Sequence, residues 1–211
     1  MIITGTPKSI TDSILREHPE LGKVMWKTKL RVKFQRRAVY EYQAAALYVL
    51  ARQFNRTECN LLEIGTAYGF SCSYIASAAP KANSIITLNP KQNELPSARQ
   101  GLSHYPNVRV IEALSWDYLA HYTGPELDMI FVDGDHNQIA RDLPWWNRLV
   151  TGGLMVFHDY APEGTPRPCP PVYDCINAWA VRLGRPLDVL VKDNGGVGLA
   201  GFYRRAGEVW K

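Results

Sequence analysis

The sequence predicts an α/β fold in which a mostly parallel sheet carries helices on both faces. Two patterns point to it: short apolar runs alternate with segments of helical period from residue 58 onward, and three of these runs end in polar, glycine-containing turns. Size sets a third bound. A chain of 211 residues, 46% of them hydrophobic, can bury about 70% of its unfolded surface around one core.

Taken in order, Tyr40, Ala44, Leu47, Ala51 and Phe54 recur at helical spacing and predict an amphipathic helix over 36–54. Strands follow at 60–64, 84–88, 108–111, 128–132, 153–157, 187–191 and 197–203, with helices at 71–78, 95–102, 116–121, 139–150 and 173–183. Pro80 ends the first of these helices. Pro144 restarts or kinks the fourth, because proline fits a first turn but not a helix interior. The last two strands are separated by Lys192-Asp193-Asn194-Gly195-Gly196, short enough to force an antiparallel hairpin. Residues 1–57 read as a basic segment and helix packed on a core spanning 58–211, one domain overall.

Composition excludes several classes. No apolar run approaches the roughly 20 residues that span a bilayer, and the first residues lack the pattern of a signal peptide. The expectation is a cytoplasmic protein with no membrane partner. Cys59, Cys72, Cys169 and Cys175 show no C-x-x-C spacing, so reduced structural thiols are expected rather than a zinc site or a disulfide framework. The net charge of +4 conceals seven bases and no acid over residues 23–37, leaving −3 elsewhere. Within that stretch Trp26, Thr28, Leu30, Val32 and Phe34 alternate with Lys27, Lys29, Arg31 and Lys33, which predicts an extended segment with its bases on one face. Such a face serves either as a contact for an anionic substrate or nucleic acid, or merely as a solvated surface.

The chemistry concentrates at three strand ends. Leu61-Leu62-Glu63-Ile64-Gly65-Thr66-Ala67-Tyr68-Gly69-Phe70-Ser71 is a strand, a tight turn and the start of a helix. Gly65 supplies unusual backbone angles, Ala67 and Gly69 leave room for a ligand, and the helix after Ser71 offers unpaired N–H groups. Leu127 to His136 contains V-D-G-D-H, and Gly152 to Tyr160 contains G-G followed by F-H-D. In open parallel sheets these ends border the ligand crevice. The glycine spacing departs from the dinucleotide pattern G-x-G-x-x-G, whose second and third glycines would fall on Ala67 and Phe70. A nicotinamide dehydrogenase is therefore disfavoured.

The ordered set E-x-G-x-x-x-G, V-D-G-D-H and G-G followed by F-H-D resembles class I S-adenosylmethionine-dependent methyltransferases, in particular small-molecule O-methyltransferases of the macrocin type. The resemblance covers residues 58–204 and implies a Rossmann-like, seven-stranded sheet of order 3-2-1-4-5-7-6, with 58–211 as the cofactor-binding core. It implies that S-adenosylmethionine is held by Glu63, Gly65, Thr66, Ala67, Gly69, Phe70, Ser71, Asn89, Ser115, Trp116 and Asp133. It also implies Mg²⁺ on Asp133 and Asp159, with Asp135 as the base. A sugar-like hydroxyl must lose its proton, and a divalent cation plus a base accomplishes that.

Three departures stand beside the matches. His158 occupies a position where several relatives have Asp, so it either replaces a metal ligand or serves as the base itself. Asn89 follows the second strand where an acid would accept the cofactor ribose, and a neutral amide predicts weaker binding. The segment Glu112-Ala113-Leu114-Ser115-Trp116 lacks an acid for the adenine amino group, leaving Ser115 and Trp116 to meet the ring. The leading expectation is transfer of a methyl group to a hydroxyl of a small molecule, with a glycoside-like acceptor suggested by the resemblance. The alternatives are a nucleic-acid methyltransferase using residues 23–37 and a non-catalytic binding protein on the same fold. The proline-rich loop 161–171 is expected either as a semi-rigid flap over the acceptor or as a surface connection. Oligomeric state is not legible.

Overall fold

The computed structural model describes residues 1–32 and 39–210. Its elements are β1 (Ile2–Gly5), α1 (Pro7–Glu17), α2 (Leu21–Arg31), α3 (Glu41–Arg52), β2 (Asn60–Ile64), α4 (Phe70–Ala78), β3 (Ser84–Leu88), α5 (Leu95–Leu102), β4 (Val108–Ile111), α6 (Ser115–Ala120), β5 (Leu127–Val132), β6 (Leu149–Phe157), α7 (Pro170–Leu183), β7 (Val189–Asp193) and β8 (Gly198–Tyr203). One sheet runs β1-β7-β8-β6-β5-β2-β3-β4. Strands β2 to β6 pair in parallel, and β8 runs antiparallel between β6 and β7. Numbered from β2, this is the expected order with one strand added.

The parallel strands read as continuous apolar runs because helices cover both faces. Period-two alternation then divides each strand between two cores. Leu61, Ile85 and Phe131 pack with α1, α3 and α4 on one side, while Leu62, Ile86 and Ile130 pack with Trp145, Trp146 and Trp179 on the other. Helix ends follow local chemistry. Thr6 caps α1 by accepting from the Ser9 N–H at 3.0 Å, with Pro7 in the first turn, and Gly184 closes α7 at φ 65°.

Three expectations change. Among the described residues the sheet has eight strands, because Ile2–Gly5 adds to β7 in parallel, Ile3 opposite Val191. A four-residue edge strand with half-exposed side chains carries too little periodicity to announce itself. Residues 26–31 are helical rather than extended: Leu21, Met25 and Thr28 form the buried face of α2, a spacing of four and three that outweighs the period-two alternation. Lys33, Phe34, Arg36 and Arg37 lie outside the described residues, as does the expected start of the 36–54 helix. Finally, 139–150 is not one helix. Two 3₁₀ turns, His136–Arg141 and Leu143–Arg148, replace it, with Pro144 in the first turn of the second, and β6 already begins at Leu149. Among the described residues no helix is long and apolar enough to cross a membrane, and all four cysteines are free.

Candidate functional site

Backbone hydrogen bonds extend the parallel ladder past the strand ends. Gly65 N–H and Thr66 N–H donate to Leu88 O at 2.9 and 3.1 Å, Asp133 N–H to Ile64 O at 2.7 Å, and His158 N–H to Val132 O at 3.0 Å. The three sequence blocks are thereby held side by side. Gly65 adopts φ 101°, and a Cβ there would lie 2.0 Å from the Asp133 carbonyl oxygen. Close packing of strand ends thus demands this glycine, in addition to the turn itself. Ala67 at φ 42° and Gly69 at φ 83° continue the turn into α4.

Beyond these ends lies a cleft of about 640 Å³. Of the expected cofactor residues, Gly65, Ala67, Asn89, Ser115, Trp116 and Asp133 line it, together with Asp135. Glu63, Thr66, Phe70 and Ser71 do not. They are buried beneath the turn, where the Ser71 hydroxyl donates to Glu63 Oε1 at 2.6 Å and the Thr87 hydroxyl donates to Glu63 Oε2. Burial pushes the Glu63 carboxyl up to about 7, against the pull of those hydrogen bonds. A carboxylate so enclosed braces the loop rather than facing the cleft. Gly69 packs against Leu102 of α5.

The cleft also contains acids that carry no sequence signal. Glu94, at the start of α5, accepts from Asn89 Nδ2 at 2.9 Å, while Asn89 Oδ1 accepts from the Lys91 N–H at 3.1 Å. Both ends of the Asn89 amide are engaged, and a carboxylate stands beside it on the cleft wall. At the far end Asp142 is buried and accepts from the Ser115 hydroxyl. Burial lifts its carboxyl to about 6, with the Ser115 hydrogen bond opposing. The Arg141 guanidinium lies 3.9 Å over the Trp116 ring.

At the opposite end Asp133 meets two histidines. His158 is buried, its Nδ1 2.8 Å from Asp133 Oδ1 and its Nε2 3.0 Å from Gln43 Oε1 of α3. His136 Nε2 lies 3.5 Å from Asp133 Oδ1, and its Nδ1 lies 3.7 Å from Asp159 Oδ2. Burial alone would push the Asp133 carboxyl up, but the two imidazoles outweigh it and hold it below the ordinary value. His158 is raised despite its burial because Asp133 outweighs the loss of water. His136 is raised chiefly by Asp133, whose carboxylate lies 3.5 Å from its Nε2. Asp135 is exposed and caps the following turn, accepting from Asn137 N–H at 3.1 Å and Gln138 Nε2 at 3.0 Å.

Residues 62–160 match a family profile described as a methyltransferase domain. A catechol O-methyltransferase from Niastella koreensis is 32% identical over 107 residues, 47% of this chain and 48% of the relative. One from Mycobacterium tuberculosis is 28% identical over 107 residues, 49% of each. The chain spans about half the length of the curated relatives it matches. Among solved structures, a candidate O-methyltransferase from Klebsiella pneumoniae superposes with a TM-score of 0.68 at 19% identity, covering 94% of this chain and 97% of that one. The O-methyltransferase TomG from Streptomyces achromogenes, in complex with S-adenosylmethionine, gives 0.65 at 20% identity over 80% and 82%. The fold is the Rossmann-like methyltransferase fold.

Within that fold the expected magnesium site does not fit the residues present. Magnesium asks for oxygen ligands in near-octahedral geometry, whereas imidazoles stand between Asp133 and Asp159: His158 Nδ1 is 2.8 Å from one carboxylate and 3.5 Å from the other. The two acids share histidines, not a common oxygen cage.

The proline-rich loop closes back on itself, Cys169 N–H donating to Ala161 O at 3.0 Å, and its Arg167 guanidinium sits 5.2 Å over the Tyr40 ring. Under it runs a groove of about 540 Å³ lined in part by Val39, Tyr40, Tyr42 and Arg167. Val39 also borders a small cavity that shares Gly65, Ala67 and Asp133 with the cleft. Val39 thus stands between the groove and this cavity, and the groove shares no lining residue with the cleft itself.

Proposed function

We propose that this chain transfers a methyl group from S-adenosylmethionine to a hydroxyl of a small molecule. The observation that carries the reading is the cleft at the carboxyl ends of β2, β3 and β5, with carboxylates where a nucleoside needs acceptors. The Trp116 face and the Ser115–Asp142 pair suit the adenine, a flat ring with donors on its edge. Glu94 beside Asn89 supplies the charged acceptor for the ribose hydroxyls that the sequence lacks after β3. Gly65 and Ala67 leave space for the methionine portion on the way to Asp133. S-adenosylmethionine brings the sulfonium-bound methyl group; the chain sets donor and acceptor in line and supplies a base that takes the acceptor's proton.

Of the two candidate bases, Asp135 has the better access. It is exposed at the rim of the cleft and keeps lone pairs beyond the two it gives to Asn137 and Gln138. His158 lies sealed between Asp133 and Gln43, a position suited to holding the Asp133 carboxylate in place. Tyr40, stacked on the buried Tyr42 ring with centroids 5.9 Å apart, gives the groove an aromatic wall beside Arg167. A planar phenolic acceptor suits that wall better than a glycoside, in keeping with the catechol O-methyltransferase names of the curated relatives. The carboxylate of Glu94 also removes the chief motive for a non-catalytic reading.

The test is incubation with isotopically labelled S-adenosylmethionine and a panel containing a catechol, a glycoside and an amine of similar size, with products read by mass spectrometry. Label on an oxygen of the catechol or glycoside is the expected result. Label on the amine alone, or on none despite bound cofactor, would overturn the assignment.

A further inference from the structure

Asp133, His136 and His158 each offer one ligand atom, and these atoms all lie within 4.8 Å of one another. The carboxylate oxygen is 2.8 Å from the first imidazole, that of His158, and 3.5 Å from the second. Ligand atoms on a tetrahedral ion with bonds of about 2.0–2.1 Å stand roughly 3.3 Å apart, so shifts within a few tenths of an ångström to an ångström would enclose one. Both histidine nitrogens are buried and make no hydrogen bond of acceptable geometry. Asp133 is close enough to attract them but is not aligned as an acceptor. Two unpaired nitrogens beside a carboxylate are costly unless something between them is shared.

The opposite nitrogens point the same way. Tyr40 N–H donates to Gln43 Oε1 at 2.9 Å, which fixes which end of that amide faces inward. The same oxygen meets His158 Nε2 at 3.0 Å and can only accept, so a proton sits on Nε2, which leaves Nδ1, facing Asp133, as the nitrogen that can give up its proton to ligate an ion. On His136 the approach is longer: its Nδ1 faces Asp159 Oδ2 at 3.7 Å, an electrostatic contact beyond hydrogen-bond reach, and its Nε2 faces Asp133. Oxygen acceptors behind each imidazole are how proteins orient metal-ligating histidines. Asp159 holds its position through a left-handed backbone, φ 51°.

We propose that Asp133, His136 and His158 form a site for a divalent transition metal of the zinc class, with Gln43 and Asp159 orienting the two imidazoles. Two nitrogens and one carboxylate suit zinc or cobalt, whereas magnesium requires the oxygens that these histidines displace. Because Asp133 and His136 line the cleft, an ion there keeps a coordination position toward it, where an acceptor hydroxyl can bind. The site stands independently of the methyl-transfer reading, since binding of the ion alone tests it.

The experiment is a titration of the chelator-stripped full chain with Co²⁺, followed by visible ligand-field absorption, and then displacement by Zn²⁺ or Mg²⁺. One cobalt per chain is expected, with an intense band typical of low coordination number, displaced by near-stoichiometric zinc but not by a hundredfold excess of magnesium. His136→Ala should weaken zinc at least a hundredfold, and Asp159→Asn about tenfold. As a check that needs no variant, zinc should protect His136 in the intact chain from acylation by diethyl pyrocarbonate. Absorption no stronger than that of aqueous cobalt, displacement by equimolar magnesium, unchanged affinity in His136→Ala, or unprotected His136 would each overturn the proposal. Failure to bind S-adenosylhomocysteine would leave it standing and count against the methyl-transfer reading alone.

Discussion

Replacing Asn89 with Asp is the informative perturbation of the cleft, because sequence and geometry predict opposite results. From sequence alone, restoring an acid after β3 should tighten cofactor binding by up to about tenfold, or about 1.4 kcal/mol. In the structure Asn89 Nδ2 donates to Glu94 Oε2 at 2.9 Å. A carboxylate at position 89 would exchange that charge-assisted hydrogen bond, worth roughly 1.5–3 kcal/mol, for like-charge repulsion. Asn89→Asp should therefore weaken S-adenosylhomocysteine at least tenfold and lower the melting temperature. Glu94→Gln keeps the contact with Asn89 but turns a charged ribose acceptor into a neutral one, a loss of about 1 kcal/mol or roughly fivefold. In the double variant the amide introduced by Glu94→Gln can donate to the carboxylate introduced by Asn89→Asp, which then carries the charge, so affinity should return to within about threefold of wild type. Calorimetric titration of the four proteins closes the cycle. Tighter binding by Asn89→Asp, or additive losses in the double variant, would refute the reasoning.

Glu63 makes a pH prediction: its carboxyl, near 7 when folded against an ordinary 4.5, favours the protonated form in the native state. The stability it contributes is fully present below about 4.5 and is lost as pH rises through about 7, so unfolding free energy relative to Glu63→Gln should fall by about 3 kcal/mol across that window; a difference that stays flat or rises in denaturant melts would contradict it. Gly65→Ala should destabilise the fold by about 2–4 kcal/mol, because its φ is 101° and the new Cβ meets the Asp133 carbonyl. Binding loss without a lower melting temperature would mean that the glycine serves only the ligand. Retention of RNA should be absent even at about 50 mM salt, since Lys29 pairs with Glu41 at 2.5 Å and residues 21–31 form a helix rather than an extended strip with its bases on one face; binding that falls steeply with salt would restore the nucleic-acid reading.

Local signals made the sheet legible. Apolar runs bounded by glycine or acid placed β2 to β8 within a few residues, because strands buried on both faces leave a pattern that periodicity detects. The β7–β8 hairpin followed from a turn too short for a crossover. What escaped detection depends on distant partners. Asp133 and His158 were visible as strand-end residues, but Gln43, 115 residues before His158, gave no hint that it would hold the ring. Nor did Glu94, five residues beyond Asn89, resemble any motif. Its role arises because the start of α5 folds back over the end of β3. Residues 26–31 misled for a different reason: the nine residues 26–34 satisfied a period of two, while the helical face that decides the structure needed Leu21 to be counted.

The central claim is that the cleft holds S-adenosylmethionine across its length, from Trp116 to Gly65. A crystal structure with S-adenosylhomocysteine measures this most directly. The adenine should lie against Trp116 with its edge toward Ser115 and Asp142, the ribose hydroxyls should reach Glu94, and the sulfur should point toward the groove beneath Arg167. Product absent from the cleft at saturating concentration, or bound with its ribose turned away from Glu94, would contradict the account.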